Sequence, residues 1–305
     1  MSITPRLRWP AGTALGALAL TGMLAACSGH ENNPGNSTGP TPPAVTDAQI
    51  ASDVASAAAG QIASDIADYS SADTGGGGGL MFTPAPSATA ARAGSRTFRT
   101  RTSCTPNNST FQLAFAAGSD TLNIDLTWVY FAPGQCQSTF SSSTTDSIAY
   151  TSVDSLHING LAWVDHVIRD RAYSVSGSGG SSLSSDTVHI WSGVGQGTDT
   201  SAYTGSSTPR TYTGGASDTA VAITFSHPRN GDVFPETGTV SLWYAWTLTV
   251  IGADAESVTV SRHVVATLNG TNDVPLQVFD ASTGALALTC TLDLTAHLIV
   301  PGSCH

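Results

Sequence analysis

The sequence predicts an all-β protein: a large antiparallel meander, folded as a sandwich or a curved sheet, with one N-terminal amphipathic helix. Three observations lead there. From about Arg96 onward, apolar residues recur with period two, as half-buried antiparallel strands require. Clusters of Gly, Ser, Asn and Asp, such as Gly118-Ser119-Asp120 and Gly177–Ser182, separate these runs. Helical periodicity of useful length is confined to one segment before residue 80.

Residues 1–26 carry Arg6 and Arg8, then an uncharged stretch from Pro10 to Ala26. Its apolar heart, Ala11 to Leu24, is 14 residues long. A bilayer-spanning helix takes about 20, so the segment reads as a secretory signal. Leu24-Ala25-Ala26-Cys27 then resembles the lipobox of bacterial lipoproteins. The resemblance implies cleavage before Cys27, lipidation of that residue, and two or three acyl chains, which anchor durably where one does not. Ser28, where Asp would signal retention, implies outer-membrane delivery under the sorting rule of enteric lipoproteins. The expected location is thus the bacterial cell envelope, with the membrane as a partner through the lipid anchor. Cleavage removes two Arg and no acid, which leaves 9 Arg against 22 acids and a formal charge of −13.

Residues 27–43 are rich in Pro, Gly, Asn and Ser and read as a flexible tether. Gly35-Asn36-Ser37-Thr38-Gly39 formally matches a nucleophile elbow. Pro34 and Pro40 flank it and no strand precedes it, so it lacks the strand–turn–helix setting the motif needs. Residues 44–72 read as the helix. Thr46-Asp47-Ala48-Gln49 forms a capping box, and Ile50, Val54, Ala58, Ile62, Ile66 and Tyr69 make one stripe. Residues 73–95, with five consecutive Gly at 75–79, read as a linker.

The β domain is expected over 96–305. Leu122, Ile124, Leu126, Trp128 and Tyr130 share one face of a strand, and Val240, Leu242, Tyr244, Trp246, Leu248 and Val250 share one face of another. A third row runs from Leu286 to Val300, and shorter patterns lie at 111–117, 156–164, 188–192, 219–225 and 258–268. The spacing suggests about ten strands. Thr267 to Pro275 resembles the opening of a chordin-type repeat over nine residues; only thirty follow, and Asn269-Gly270 is a hairpin signal in its own right.

Four Cys follow Cys27, and export permits disulfides. Cys104 and Cys136 bracket the hairpin that turns near Ser119, so they are expected to pair. Cys290 then pairs with Cys304 by elimination.

Chemistry is sparse. All eleven basic residues are Arg, so a Walker A lysine, a Schiff-base lysine and a Ser–Lys dyad are excluded. The acidic balance excludes a nucleic-acid footprint. His157, His189, His263 and His297 fall on the less apolar sides of their strands, where a solvated face is expected and no metal site is assigned. Asp165 and His166 are expected on opposite faces. Only Glu31, Glu236 and Glu256 are Glu, and no two carboxylates stand out as a catalytic pair. Trp163, Trp191 and Trp243 fall opposite the main apolar rows, where an exposed ring can stack on sugars or pack under a loop. Arg92, Arg96, Arg99 and Arg101 read as a charged edge strand. No catalytic, cofactor-binding or metal residue is assigned. The expectation is a membrane-anchored binding or structural β domain with a protein, glycan or lipid ligand. The alternatives are a secreted-type hydrolase, or a lipid carrier with a cavity under a curved sheet.

Overall fold

The computed structural model describes residues 45–74, 107–114, 121–133, 135–159, 163–179, 182–204, 208–226, 234–251 and 257–305. Cys27, Cys104, the elbow-like 35–39, the linker and the Arg92–Arg101 stretch lie outside the described residues.

Among the described residues the first element is a helix, α1 (Asp47–Thr74), and it is followed by twelve strands. The first six are β1 (Asn107–Ala114), β2 (Thr121–Ala132), β3 (Gln135–Gln137), β4 (Ser147–Asn159), β5 (Val164–Gly177) and β6 (Val188–Tyr203). The remainder are β7 (Arg210–Ser226), β8 (Thr237–Val250), β9 (Ser257–Leu268), β10 (Asp273–Asp280), β11 (Leu286–Asp293) and β12 (Leu298–Ile299). All pairings are antiparallel, and neighbours in sequence are neighbours in the sheet, except that β3 pairs only with β2, outside the main path. The sheet is open, with β1 and β12 at its two ends.

Of the two expected architectures, the curved sheet is the one adopted. Helix α1 touches β4 and β6 as well as β9, β10, β11 and β12, so the sheet curls around it. The expected start holds: the Gln49 amide donates to Thr46 Oγ1 at 3.2 Å, and the Ile50 amide to the Thr46 carbonyl at 3.0 Å. The single apolar stripe does not describe the helix in place. Between Asp53 and Ser70 every residue is buried except the half-buried Ser56 and Ala67. Asp53, Gln61, Ser64, Asp65 and Asp68 are enclosed beside Val54, Ile62 and Ile66 because strands cover several sides of the helix. Gly60 permits the closest approach. A Cβ there would lie 2.7 Å from Ile158 Cδ1 and 3.5 Å from the Trp163 ring.

The expected rows on β2 and β8 point inward: Ile124, Leu126, Trp128 and Tyr130, and Val240, Leu242, Tyr244, Trp246 and Leu248, are all buried. The row from Leu286 to Val300 is not one strand. Asp293 Oδ1 accepts the amides of Thr295 and Ala296 at 2.9 and 2.8 Å, and His297 takes a φ of 58°. A turn therefore separates β11 from β12, and Leu286 is exposed. The 156–164 pattern likewise divides, β4 ending at Asn159 and β5 beginning at Val164. The Asn269-Gly270 hairpin joins β9 to β10, with Gly270 at φ 80°. Cys290 and Cys304 are disulfide-bonded, as expected. Cys136 is also disulfide-bonded; its expected partner, Cys104, lies outside the described residues.

Candidate functional site

The inner face of β4–β7 brings charges to α1. Arg169 forms a two-point ion pair with Asp65, at 2.7 and 3.1 Å. Arg171 Nη1 lies 3.4 Å from both Asp65 and Asp154, and its Nη2 donates to Tyr69 Oη at 2.5 Å. Near the middle of the helix, Gln61 Nε2 donates to Asp165 at 3.1 Å and to Asp199 at 2.7 Å, and Ser201 Oγ donates to Asp165 at 2.6 Å. Near the N-terminal end, Asp53 accepts from Arg210 at 2.5 and 2.6 Å and from Tyr212 Oη at 2.6 Å.

Around Arg169 and Arg171 stand four acids: Asp65, Asp68, Asp154 and Asp218. Burial works against so much negative charge. Burial pushes the Asp68 carboxyl up to about 7 and also raises Asp218. Burial, and then the charge and hydrogen bond of Asp165, hold Asp199 well above the carboxylate range. These groups are sealed from solvent. Desolvation offsets most of the attraction in such pairs, yet removing one partner is costly, so each pair pins α1 to its strand. The arrangement positions the helix and offers no access to a substrate.

The outward face is different. Of the five Trp among the described residues, four are at most 7 % exposed, whereas Trp243 is 40 % exposed. Strand alternation puts it there: Leu242 and Tyr244 point inward, so Trp243 points out. Register sets His263 of β9 directly opposite Trp243, and Phe279 of β10 opposite His263. The indole lies flat on the imidazole, with centroids 4.5 Å apart and planes 8° apart. His263 in turn stacks on Phe279 at 5.8 Å. Burial under these rings lowers the His263 pKa from its usual value. Two open hollows flank the row. One, of about 300 Å³, lies over Gly215, Ala245 and Ser261; the other, of about 440 Å³, is bordered by Val265, Gln277 and Asp280.

Other residues singled out in the sequence fall elsewhere. Trp191 is buried against Tyr69 and Tyr150, at 5.3 and 5.7 Å, and Trp163 against Tyr203 at 6.0 Å; neither is open to a ligand. His189 does not face solvent: its Nε2 lies 2.7 Å from the Leu183 carbonyl. His297 is also buried, in the turn before β12. His189 shares the inner face of β6 with Trp191, which local polarity concealed. Asp165 points inward and His166 outward, as expected. His157 and His166 are direct cross-strand partners with rings 6.4 Å apart. Among the described residues, no three His, Cys, Asp or Glu gather as a metal centre. Phe279 and Gly215 carried no local signal; only the cross-strand register brings them to Trp243.

No family model, curated protein or solved structure matches the chain.

Proposed function

We propose that the protein is a lipid-anchored envelope lipoprotein whose β domain binds a ligand through the outward face of β7–β10. The lipobox-like Leu24–Cys27 supports the address. The binding role rests on one observation: Trp243 is kept at the surface, its ring stacked on His263, beside open hollows. A preformed concave site with an aromatic wall and a few polar groups is what ligand recognition requires. A hydrolase would draw on paired carboxylates such as Asp165 and Asp199, but these lie under α1 and are closed to substrate. A carrier would need the concave side of the sheet for cargo, and α1 occupies it.

The test is the fate of Cys27. The mature protein is expected to begin at Cys27 with acyl mass on intact-protein mass spectrometry and to fractionate with membranes, while Cys27→Ala is neither cut at that bond nor retained. A Cys27→Ala chain that is cut there and stays with membranes overturns the address. Turnover of common hydrolase substrates by the purified mature protein overturns the non-enzymatic reading.

A further inference from the structure

The outward side chains of β7, β8 and β9 form rows that cross the strands. One row is Ser217, Trp243, His263 and Phe279. Two residues along each strand lies a row of small side chains: Gly215, Ala245 and Ser261, continued by Ala281, whose amide donates to the Ser261 carbonyl at 3.2 Å. Two residues further lies a row of threonines: Thr213, Thr247 and Thr259. All three threonines are exposed. Rows on one face are about 7 Å apart along the strands, and their members about 5 Å apart across them. The result is a trench with an aromatic wall, a floor almost without side chains and a hydroxyl wall.

Gly215 shows that the floor is not bare for packing reasons. A Cβ there would meet nothing closer than the Gly197 carbonyl oxygen at 3.9 Å. Its neighbour Gly214 differs: a Cβ there would strike the Ala245 carbonyl oxygen at 2.2 Å. A side chain at 215 would be sterically free and would fill the trench.

We infer that this trench binds an uncharged glycan chain laid across the strands. This deepens the binding role above and rests on it only for the use of the outward face. A pyranose has an apolar C–H face, which stacks on an aromatic ring, and an edge of hydroxyls, which pair with Ser and Thr. The face of Trp243 not covered by His263 supplies the first, and the hydroxyls of Ser217, Ser261 and the threonine row supply the second. It crosses three strands, about 10 Å from the first to the third, more than one sugar ring occupies. The mature charge of −13 disfavours polyanions, and Arg262, beside the first hollow, is already paired with Asp280 and Asp47. A lipid surface would call for an apolar patch, and one wall here is threonine.

The experiment titrates the full mature protein with β-linked hexasaccharides of glucose and of N-acetylglucosamine, read by calorimetry and by tryptophan emission. Saturable binding with a shift in emission is expected for at least one of them. Trp243→Ala and Gly215→Phe are each expected to weaken it about tenfold or more with the melting temperature retained, the second by filling the floor. Absence of saturable binding by both sugars, or binding unchanged in both variants, overturns the inference. If only peptides or phospholipid vesicles bind and Trp243→Ala abolishes it, the glycan assignment falls while the binding face stands. Sugar binding by a protein that fails the Cys27 test leaves the trench intact and removes only the anchor.

Discussion

Asp65 of α1 and Arg169 of β5 face each other through two hydrogen bonds, with each side chain 1 % exposed. Neither has water to fall back on. Asp65→Asn keeps the shape but leaves the guanidiniums of Arg169 and Arg171 short of a counter-charge in a closed interior. The expected loss is about 3–5 kcal/mol, measured by denaturant unfolding. The variant Arg169→Met with Asp65→Leu, which removes both charges, is expected to recover most of that loss. Equal destabilisation by the single and paired changes would mean that the ion pair itself, and not stranded charge, carries the stability.

Stability should fall as pH rises from about 5 to about 8. Asp68, Asp199 and Asp218 all have folded pKa values raised by burial, Asp68 to about 7. The native state therefore holds protons that the unfolded chain releases near the ordinary value of 3.8. Their contribution is complete below that value and is lost as pH climbs through the folded ones. Asp280 acts with opposite sign. Hydrogen bonds from Ser282 and Thr283 depress its pKa, so its contribution is present above 3.8 and lost on acidification. Denaturant midpoints across this range should show the decline, and Asp68→Asn should flatten part of it. A midpoint that rises toward pH 8 would contradict the assignment of buried protons.

Two glycines should respond in opposite ways to the same methyl group. Gly60→Ala improves helix propensity yet drives Cβ into Ile158, 2.7 Å away, and a net loss of about 1 kcal/mol is expected. Gly215→Ala meets no atom within 3.9 Å and should leave thermal stability unchanged or slightly raised. Thermal melts of the two variants side by side provide the check.

The closing segment depends on its disulfide. Cys290 is buried in β11, and Cys304 lies 14 residues on, past the Pro301-Gly302 turn. In a chain-entropy account, cross-linking a loop of this length contributes about 3 kcal/mol. Cys290→Ala with Cys304→Ala should lower the unfolding midpoint accordingly and hasten proteolysis after β11; an unchanged midpoint would show that pairing alone holds the segment.

The sheet was legible in the sequence wherever inward positions were apolar. Leu242, Tyr244, Trp246 and Leu248 declare their face without help from any other strand. In β5 the period of two persists but the polarity is exchanged: Asp165, Arg169 and Arg171 point in, while Ile168 is 46 % exposed. A rule that sends charge outward reads such a strand backwards, because it cannot see Asp65 and Gln61 waiting on the helix. For the same reason α1 showed one apolar stripe and not its enclosure. The outward row is harder still. Trp243, His263 and Phe279 lie on three strands, and their meeting follows only from registers fixed by hairpin length and by the core on the other face. Cys290–Cys304 was reached only by elimination, once Cys104 and Cys136 were expected to pair.

The stack of Trp243 on His263 should report its own protonation. Burial lowers the His263 pKa from the ordinary 6.5, which favours the neutral imidazole. Asp280 borders the same hollow, but Ser282 and Thr283 donate to it and Arg262 pairs with it at 2.8 Å. Protonated imidazole quenches an indole in van der Waals contact, while neutral imidazole does so weakly. Emission from Trp243 is therefore expected to drop on acidification with a midpoint below 6.5. Among the described residues no ring contact joins the four buried Trp to a His, so Trp243→Phe should remove the transition and His263→Gln should abolish it while leaving the emission of the other rings intact. A transition that survives both substitutions would place the titrating group elsewhere and would unseat the His-backed indole on which the glycan trench depends.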